Sequence, residues 1–282
     1  MQVKYVTMLF VSLAWASSYV LAKIIFLEIE PMTFTAARYL IALLILSLFV
    51  KKRVNLSKNL LIVGGFGFAL APLLQYLGLW YTTSIDTTLI LSANPSIAAL
   101  LSYIIMREKI KIMKIIGIFL AFFGVVFIVF SNIKLGVFSF ERIFGDFLVF
   151  LSGVFWVVSS IYGKKSLQHE NPSSLTYSSM AIGVPIMLFS ALFFESFEKI
   201  FQMSFFSWVL LLTISIVNTS IAFFLWFRVL KEISATEANL FLNTIPIWTA
   251  ALAIPILGES LTPQKILGAI LVFFGVYLAQ KK

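Results

Sequence analysis

The polar side chains with the most regular spacing in this sequence are two pairs, Thr88 with Ser92 and Asn239 with Asn243. Members of each pair are four residues apart, so on a helix they share one face. Each pair precedes a proline, Pro95 or Pro246, inside a run that is otherwise apolar. A proline withholds its amide from the carbonyl four residues earlier, which makes both prolines expected helix-break or hinge positions beside a polar face. Hydroxyls, amides and freed carbonyls can hold a ligand by hydrogen bonds. They cannot by themselves break a covalent bond.

The residue types that enzymes need are scarce. There is no cysteine, hence no thiolate and no disulfide framework. His169 is the single histidine, it falls in a predicted loop, and no H-E-x-x-H run is present. No G-x-x-x-x-G-K-[ST] run would bind ATP. The twelve carboxylates fall in loops or within about a turn of predicted helix ends. Asp86 and Glu237 are expected to stabilise helix N-termini through the dipole, with Ser234 and Glu237 as a capping box. Glu108 and Glu259 are expected to close their helices and bond the start of the next one. Neither an enzyme nor a cofactor or metal requirement is expected.

Composition fixes where such polar faces must sit. With 61% hydrophobic and 12% charged residues and a mean hydropathy of +1.03, the 282-residue chain cannot cover itself with a soluble surface. Apolar segments of membrane-spanning length recur between short polar breaks, which predicts helices rather than barrel strands. The spacing predicts ten, at approximately 5–25, 33–50, 59–80, 84–105, 113–131, 144–163, 174–194, 206–227, 235–257 and 264–280. The first, with Lys4, an apolar run and Ala14-Trp15-Ala16, also has the look of a secretory leader. It has an internal counterpart, however, because Trp15 to Lys23 matches Trp156 to Lys164 at an offset of 141 residues.

The chain is therefore expected to be duplicated. At an offset of 151 residues Thr88 matches Asn239, Ser92 matches Asn243, Pro95 matches Pro246, Glu108 matches Glu259, Gly117 matches Gly268 and Gly124 matches Gly275. Residues 1–131 form a first five-helix repeat, 132–143 a linker and 144–282 a second repeat. An odd number of spans per repeat sends the second through the membrane in the opposite sense. The expected fold class is an all-α integral membrane protein of ten transmembrane helices in two inverted-topology five-helix repeats. Most of the 21 basic residues, including Lys51-Lys52-Arg53 and Lys164-Lys165, then fall on one side, which predicts cytoplasmic termini in the cell (inner) membrane. The net charge of +9 follows that asymmetry and gives no reason to expect a nucleic-acid partner.

Inverted repeats can exchange conformations and open a central site to either side in turn. The site residues expected there are Trp15, Ser18, Tyr19, Arg38, Gln75, Tyr76, Thr88, Ser92, Asn94, Trp156, Ser160, Asn218, Asn239 and Asn243, an aromatic wall with a few placed polar groups. Ordinary helix packing is the competing account for each of these aromatics and amides. Arg38 is a charge inside a span, a functional sign by default, though near enough to the helix start to snorkel.

Together these residues resemble the EamA-type branch of the drug/metabolite transporter superfamily. The matching pieces are Trp15 to Lys23, Pro31, Arg38, Ala42, Ser92 to Pro95, Glu108, Gly117 and Gly124. In the second copy they are Trp156, Leu230-Lys231, Ser234-Ala235-Thr236, Pro246, Gly258 to Thr262, Gly268 and Gly275. One departure is Arg107-Glu108-Lys109 where the second copy reads Gly258-Glu259. The resemblance implies a ten-helix secondary carrier with a central cavity, exporting amino acids or related neutral or zwitterionic metabolites by alternating access. A multidrug efflux carrier, a passive channel and a structural membrane protein are the alternatives. Expected partners are a small-molecule substrate and the lipid bilayer, with the chain a monomer or weak homodimer. The lack of a mid-membrane acid leaves facilitated diffusion, exchange and proton coupling all open.

Overall fold

The computed structural model describes residues 2–50, 56–106, 112–131, 139–233 and 241–280, and these are all-helical with no strand among them. Among the described residues eleven helices of eight or more residues follow one another, with a short 3-10 helix, Phe197–Gln202, between the eighth and the ninth: α1 Gln2–Ile25, α2 Pro31–Phe49, α3 Lys58–Tyr81, α4 Ser84–Leu91, α5 Asn94–Met106, α6 Ile112–Phe130, α7 Phe140–Ser166, α8 Pro172–Phe194, α9 Phe205–Glu232, α10 Ile245–Leu257 and α11 Pro263–Gln280. Nine helical stretches among the described residues are long and apolar enough to cross a membrane, with α4 and the start of α5 counted as one; α10 is apolar but shorter. Their outward faces carry phenylalanines such as Phe119, Phe122, Phe189, Phe193 and Phe274, each more than half exposed. A soluble protein could not tolerate such a girdle, whereas lipid is its natural solvent.

Local chemistry sets the helix ends. Pro31 and Pro172 occupy the first turns of α2 and α8, where a missing amide costs nothing. Ser57, Thr83, Ser139 and Ser204 cap α3, α4, α7 and α9 by accepting from amides three residues on. The cap at Ser139 starts α7 before the expected 144, so Asp146 lies nearly two turns inside the helix rather than at its end.

Two departures from regular α-helix recur 151 residues apart. Val63–Leu70 in α3 and Ile214–Ile221 in α9 are π-helical. The expected continuous helix over 84–105 is instead divided at Ser92-Ala93. There Ala93 N donates to Ile90 O at 3.1 Å, and Ser96 and Ile97 N donate to Ala93 O. The same pattern returns at Thr244: its N donates to Phe241 O at 3.0 Å, and Ile247 and Trp248 N donate to its carbonyl. Pro95 and Pro246 each follow the break within two residues, where a proline fits as the second residue of a new helix.

Glycine permits a close crossing of α6 and α11. A Cβ on Gly124 would stand 2.8 Å from the carbonyl of Gly268, and one on Gly268 would stand 3.0 Å from the carbonyl of Gly124. Gly117 and Gly275 face each other in the same way, so α6 and α11 touch backbone to backbone, as small residues allow in membranes.

Candidate functional site

Between the helices lies a cavity of about 80 Å³. Trp15, Ser18 and Tyr19 reach it from one face of α1, Arg38 and Tyr39 from α2, and Ala71, Pro72, Gln75 and Tyr76 from α3. Thr88, Leu91 and Ser92 come from α4, Asn94 and Pro95 from the start of α5, and Ser152 and Trp156 from α7. Phe223, Leu242, Asn243 and Ile245 close the far wall.

One side is aromatic. The Trp15 and Trp156 rings meet edge to face at 5.7 Å, and Phe223 lies 5.2 Å from Trp15 and 5.8 Å from Trp156. The other side is a hydrogen-bonded relay. Gln75 Nε2 donates to the Tyr19 hydroxyl at 2.8 Å, Ser18 Oγ and the Tyr76 hydroxyl are 3.0 Å apart, and Arg38 Nη1 donates to the Tyr76 hydroxyl. Arg38 Nε donates to Thr219 Oγ1 at 2.5 Å. Thr219 sits in the π-helical part of α9, where its own hydroxyl reaches back five residues to Ile214 O. The wide π turn is what turns Thr219 toward α2.

Arg38 does not snorkel. Its residue is 2% exposed, and its Cζ lies 5.0 Å and 5.4 Å from the ring centres of Tyr76 and Tyr39.

The hydroxyls on α4 present the opposite polarity. Thr88 Oγ1 donates to Ser84 O and Ile85 O, and Ser92 Oγ donates to Leu89 O at 2.6 Å. With their protons turned back into the helix, both oxygens keep lone pairs for a donor. One wall therefore offers a cation and the other offers acceptors.

Twelve of the expected site and hinge residues line the cavity: Trp15, Ser18, Tyr19, Arg38, Gln75, Tyr76, Thr88, Ser92, Asn94, Pro95, Trp156 and Asn243. Three do not. Asn218 points at α1, donating to Ala14 O and to Ser17 Oγ at 2.8 Å, which makes it a helix-to-helix tie. Ser160 lies one turn beyond Trp156 and is not in the lining, nor is Pro246. Asn239 lies outside the described residues, as do Glu108 and the Ser234–Glu237 capping box. Tyr39 and Phe223 were not expected; Tyr39 adjoins Arg38, while an apolar ring such as Phe223 carries no signal within an apolar helix.

The acids behave differently from expectation. Glu259 does not bond the start of α11. Its carboxylate accepts from Ser84 N at 2.8 Å and Ile85 N at 2.9 Å, so it caps α4. Asp86 is fully buried and, beyond its place in the first turn of α4, pairs with Lys265 at 2.8 Å and with Arg142. Asp146, also buried, accepts from Thr82 Oγ1 at 2.5 Å. Among the described residues no group of three or more histidine or acidic side chains could hold a metal ion.

Membrane-spanning helices around a small cavity with hydrogen-bonding walls are the architecture of a multi-pass membrane protein built to hold a small molecule. The profile of the EamA-like transporter family matches residues 2–130 and again 143–280, and the chain belongs to that family. It is 26% identical to the uncharacterized transporter YyaM of Bacillus subtilis (strain 168), over 98% of this chain and 92% of the relative. An uncharacterized transporter of Archaeoglobus fulgidus is 28% identical over 96% and 94% of the two chains. A Salmonella typhimurium protein named "Probable amino-acid metabolite efflux pump" is 23% identical over 96% and 92%. One solved crystal structure superposes with a TM-score of 0.67 at 15% identity, covering 99% of this chain and 97% of the other, a likeness of fold alone. The relatives are transporters, and the protein is a transporter rather than an enzyme.

Proposed function

We propose that the protein is a secondary carrier that exports amino acids or related zwitterionic metabolites by alternating access. The observation that carries this reading is the polarity of the cavity: Arg38 faces in from α2 while the lone pairs of Thr88 and Ser92 face in from α4, beside the Trp15–Trp156 wall. A carboxylate, an ammonium group and a short apolar body have a place each. The name of the Salmonella relative agrees with efflux of amino-acid metabolites.

Two inverted five-span repeats supply the mechanism in this reading. The double family match, the π-helical segments and the paired helix breaks all support it. The excess of basic residues on the side assigned to the cytoplasm supports cytoplasmic termini, with the cell membrane as the proposed location. Asn239 joins Asn243 as the amide counterpart of Thr88 and Ser92.

Counterflow in proteoliposomes tests the proposal. A labelled amino-acid mixture is expected to give saturable uptake accelerated by the same mixture inside, where a channel would show neither effect. Asn243→Ala should lower that flux at least about tenfold, the loss expected when a buried ligand hydrogen bond is removed. Asn218→Ala, which cuts only the tie to α1, should leave the flux within about twofold while lowering thermal stability by roughly 0.6–1.7 kcal/mol. Equal flux in Asn243→Ala and wild type would sink the site assignment.

A further inference from the structure

Arg38 is a buried cation that no acid neutralises among the described residues. The groups around it are the Thr219 and Tyr76 hydroxyls and the faces of Tyr76 and Tyr39, all neutral. Among the described residues no carboxylate lies within 4.0 Å of it. The acids buried within the helices are occupied elsewhere, Asp86 by Lys265 and Arg142 and Asp146 by Thr82. Guanidinium keeps its proton even when buried, so the charge cannot be shed as a lysine would shed it.

Two neutral hydroxyls and two ring faces offset only part of the desolvation. A buried unpaired ion still costs several kcal/mol, and each cation–π contact returns about 0.5–2. An anionic partner would offset the remainder. Such a partner has a path to Arg38 from the cavity that its side chain lines.

We infer that Arg38 is the anion subsite of this cavity and that every compound the protein carries bears a carboxylate or an equally small anionic group. The inference rests on the carrier reading and narrows it. The fixed fork of guanidinium donors matches the two oxygens of a carboxylate and holds them in one plane. Size limits the rest of the molecule. The cavity, about 80 Å³, is small and enclosed by side chains of several helices. That suits a short amino or oxo acid. Amines without an acid, cationic drugs included, would place a second cation against the first.

An untargeted comparison of the culture medium of cells expressing wild type, Arg38→Gln, Arg38→Lys or no protein reads this directly. Every compound that wild type raises in the medium should carry an anionic group, and its export should fall at least about tenfold in Arg38→Gln. Arg38→Lys should recover part of it, keeping the charge and losing the fork. Arg38→Gln retains hydrogen-bonding capacity toward Tyr76 and Thr219 and removes the unpaired charge, and the purified variant is expected to melt at or above the wild-type temperature. If it does not fold, the chemical classes of the wild-type exported set decide alone. Amines or uncharged compounds in that set, or full export by a folded Arg38→Gln, overturn the anion subsite and leave the carrier standing. A wild type that raises nothing overturns the carrier and the subsite together.

Discussion

Single residues separate into those whose cost is visible in one dimension and those whose partners are not. Arg38 stands out in the sequence because a charge within an apolar run is expensive wherever its side chain turns. Asn218 stands out equally, yet it only ties α9 to α1, since lining and gluing use the same residue types. Glu28 was unremarkable, and its role comes entirely from distant partners. It accepts from Ser204 N at 2.6 Å and from the Ser204 and Ser207 hydroxyls at 2.7 Å each, completing the N-terminus of α9. The hydrogen bonds from Ser204 and Ser207 hold its carboxyl below its ordinary value of 4.5. A depressed acid contributes stability that is present above its unfolded-state value and lost as pH falls through the folded one. Glu28→Gln should therefore melt at a lower temperature than wild type at pH 7, and the gap should begin to narrow as pH falls below about 4.5 and close as pH passes through the lower folded value. Melting curves of both proteins from pH 7 to pH 3 check this; a gap that stays constant across the range refutes it.

At the scale of elements, the spans are legible because lipid requires nearly uninterrupted apolar stretches of helix length. The breaks after Ser92 and Asn243 are partly legible, since Pro95 and Pro246 mark them to within a turn or so. The π-helical stretches are not. They consist of a change of backbone partner, from four residues to five, which leaves apolar composition untouched. Their tertiary fit shows in the glycines. A Cβ on Gly183 of α8 would overlap the Phe68 carbonyl in the π-helical stretch of α3, and that carbonyl cannot step aside. Gly65, in the same stretch, has nothing within 4 Å of its Cβ position. Gly183→Ala is expected to cost about 1–3 kcal/mol through overpacking. Gly65→Ala should be neutral or stabilising by up to about 1 kcal/mol, because alanine gives up less backbone freedom in a helix. Thermal denaturation in detergent distinguishes the two, and equal losses would refute the close approach.

For the molecule as a whole, offsets of 141 and 151 residues lead to the expectation of a duplication, whereas the polar seams between the two family matches have no such signal. Nothing in the local sequence around Asp86 says that Lys265 will meet it, because the two lie 179 positions apart and neither side chain has a regular neighbour to betray the pairing. The seams gather at the end where α1 gives way to α2. There Asp86 holds Lys265 and Arg142, Glu259 caps α4, Glu195 accepts from Met32 N and Thr33 N, and Glu30 pairs with Lys199. Glu30 and Lys199 are partly exposed and add little. Asp86 and Lys265, with side chains 0% and 2% exposed, are another matter. Asp86→Asn removes the anion and strands Lys265, for which the expected loss is about 3–5 kcal/mol. Adding Lys265→Met removes the stranded charge, so the double variant should regain a substantial part of that stability. Melting temperatures of wild type, the two single variants and the double variant complete the cycle. Additive losses would mean that the pair does not join the halves; recovery in the double variant identifies a buried ion pair as the bolt at this end of the cavity.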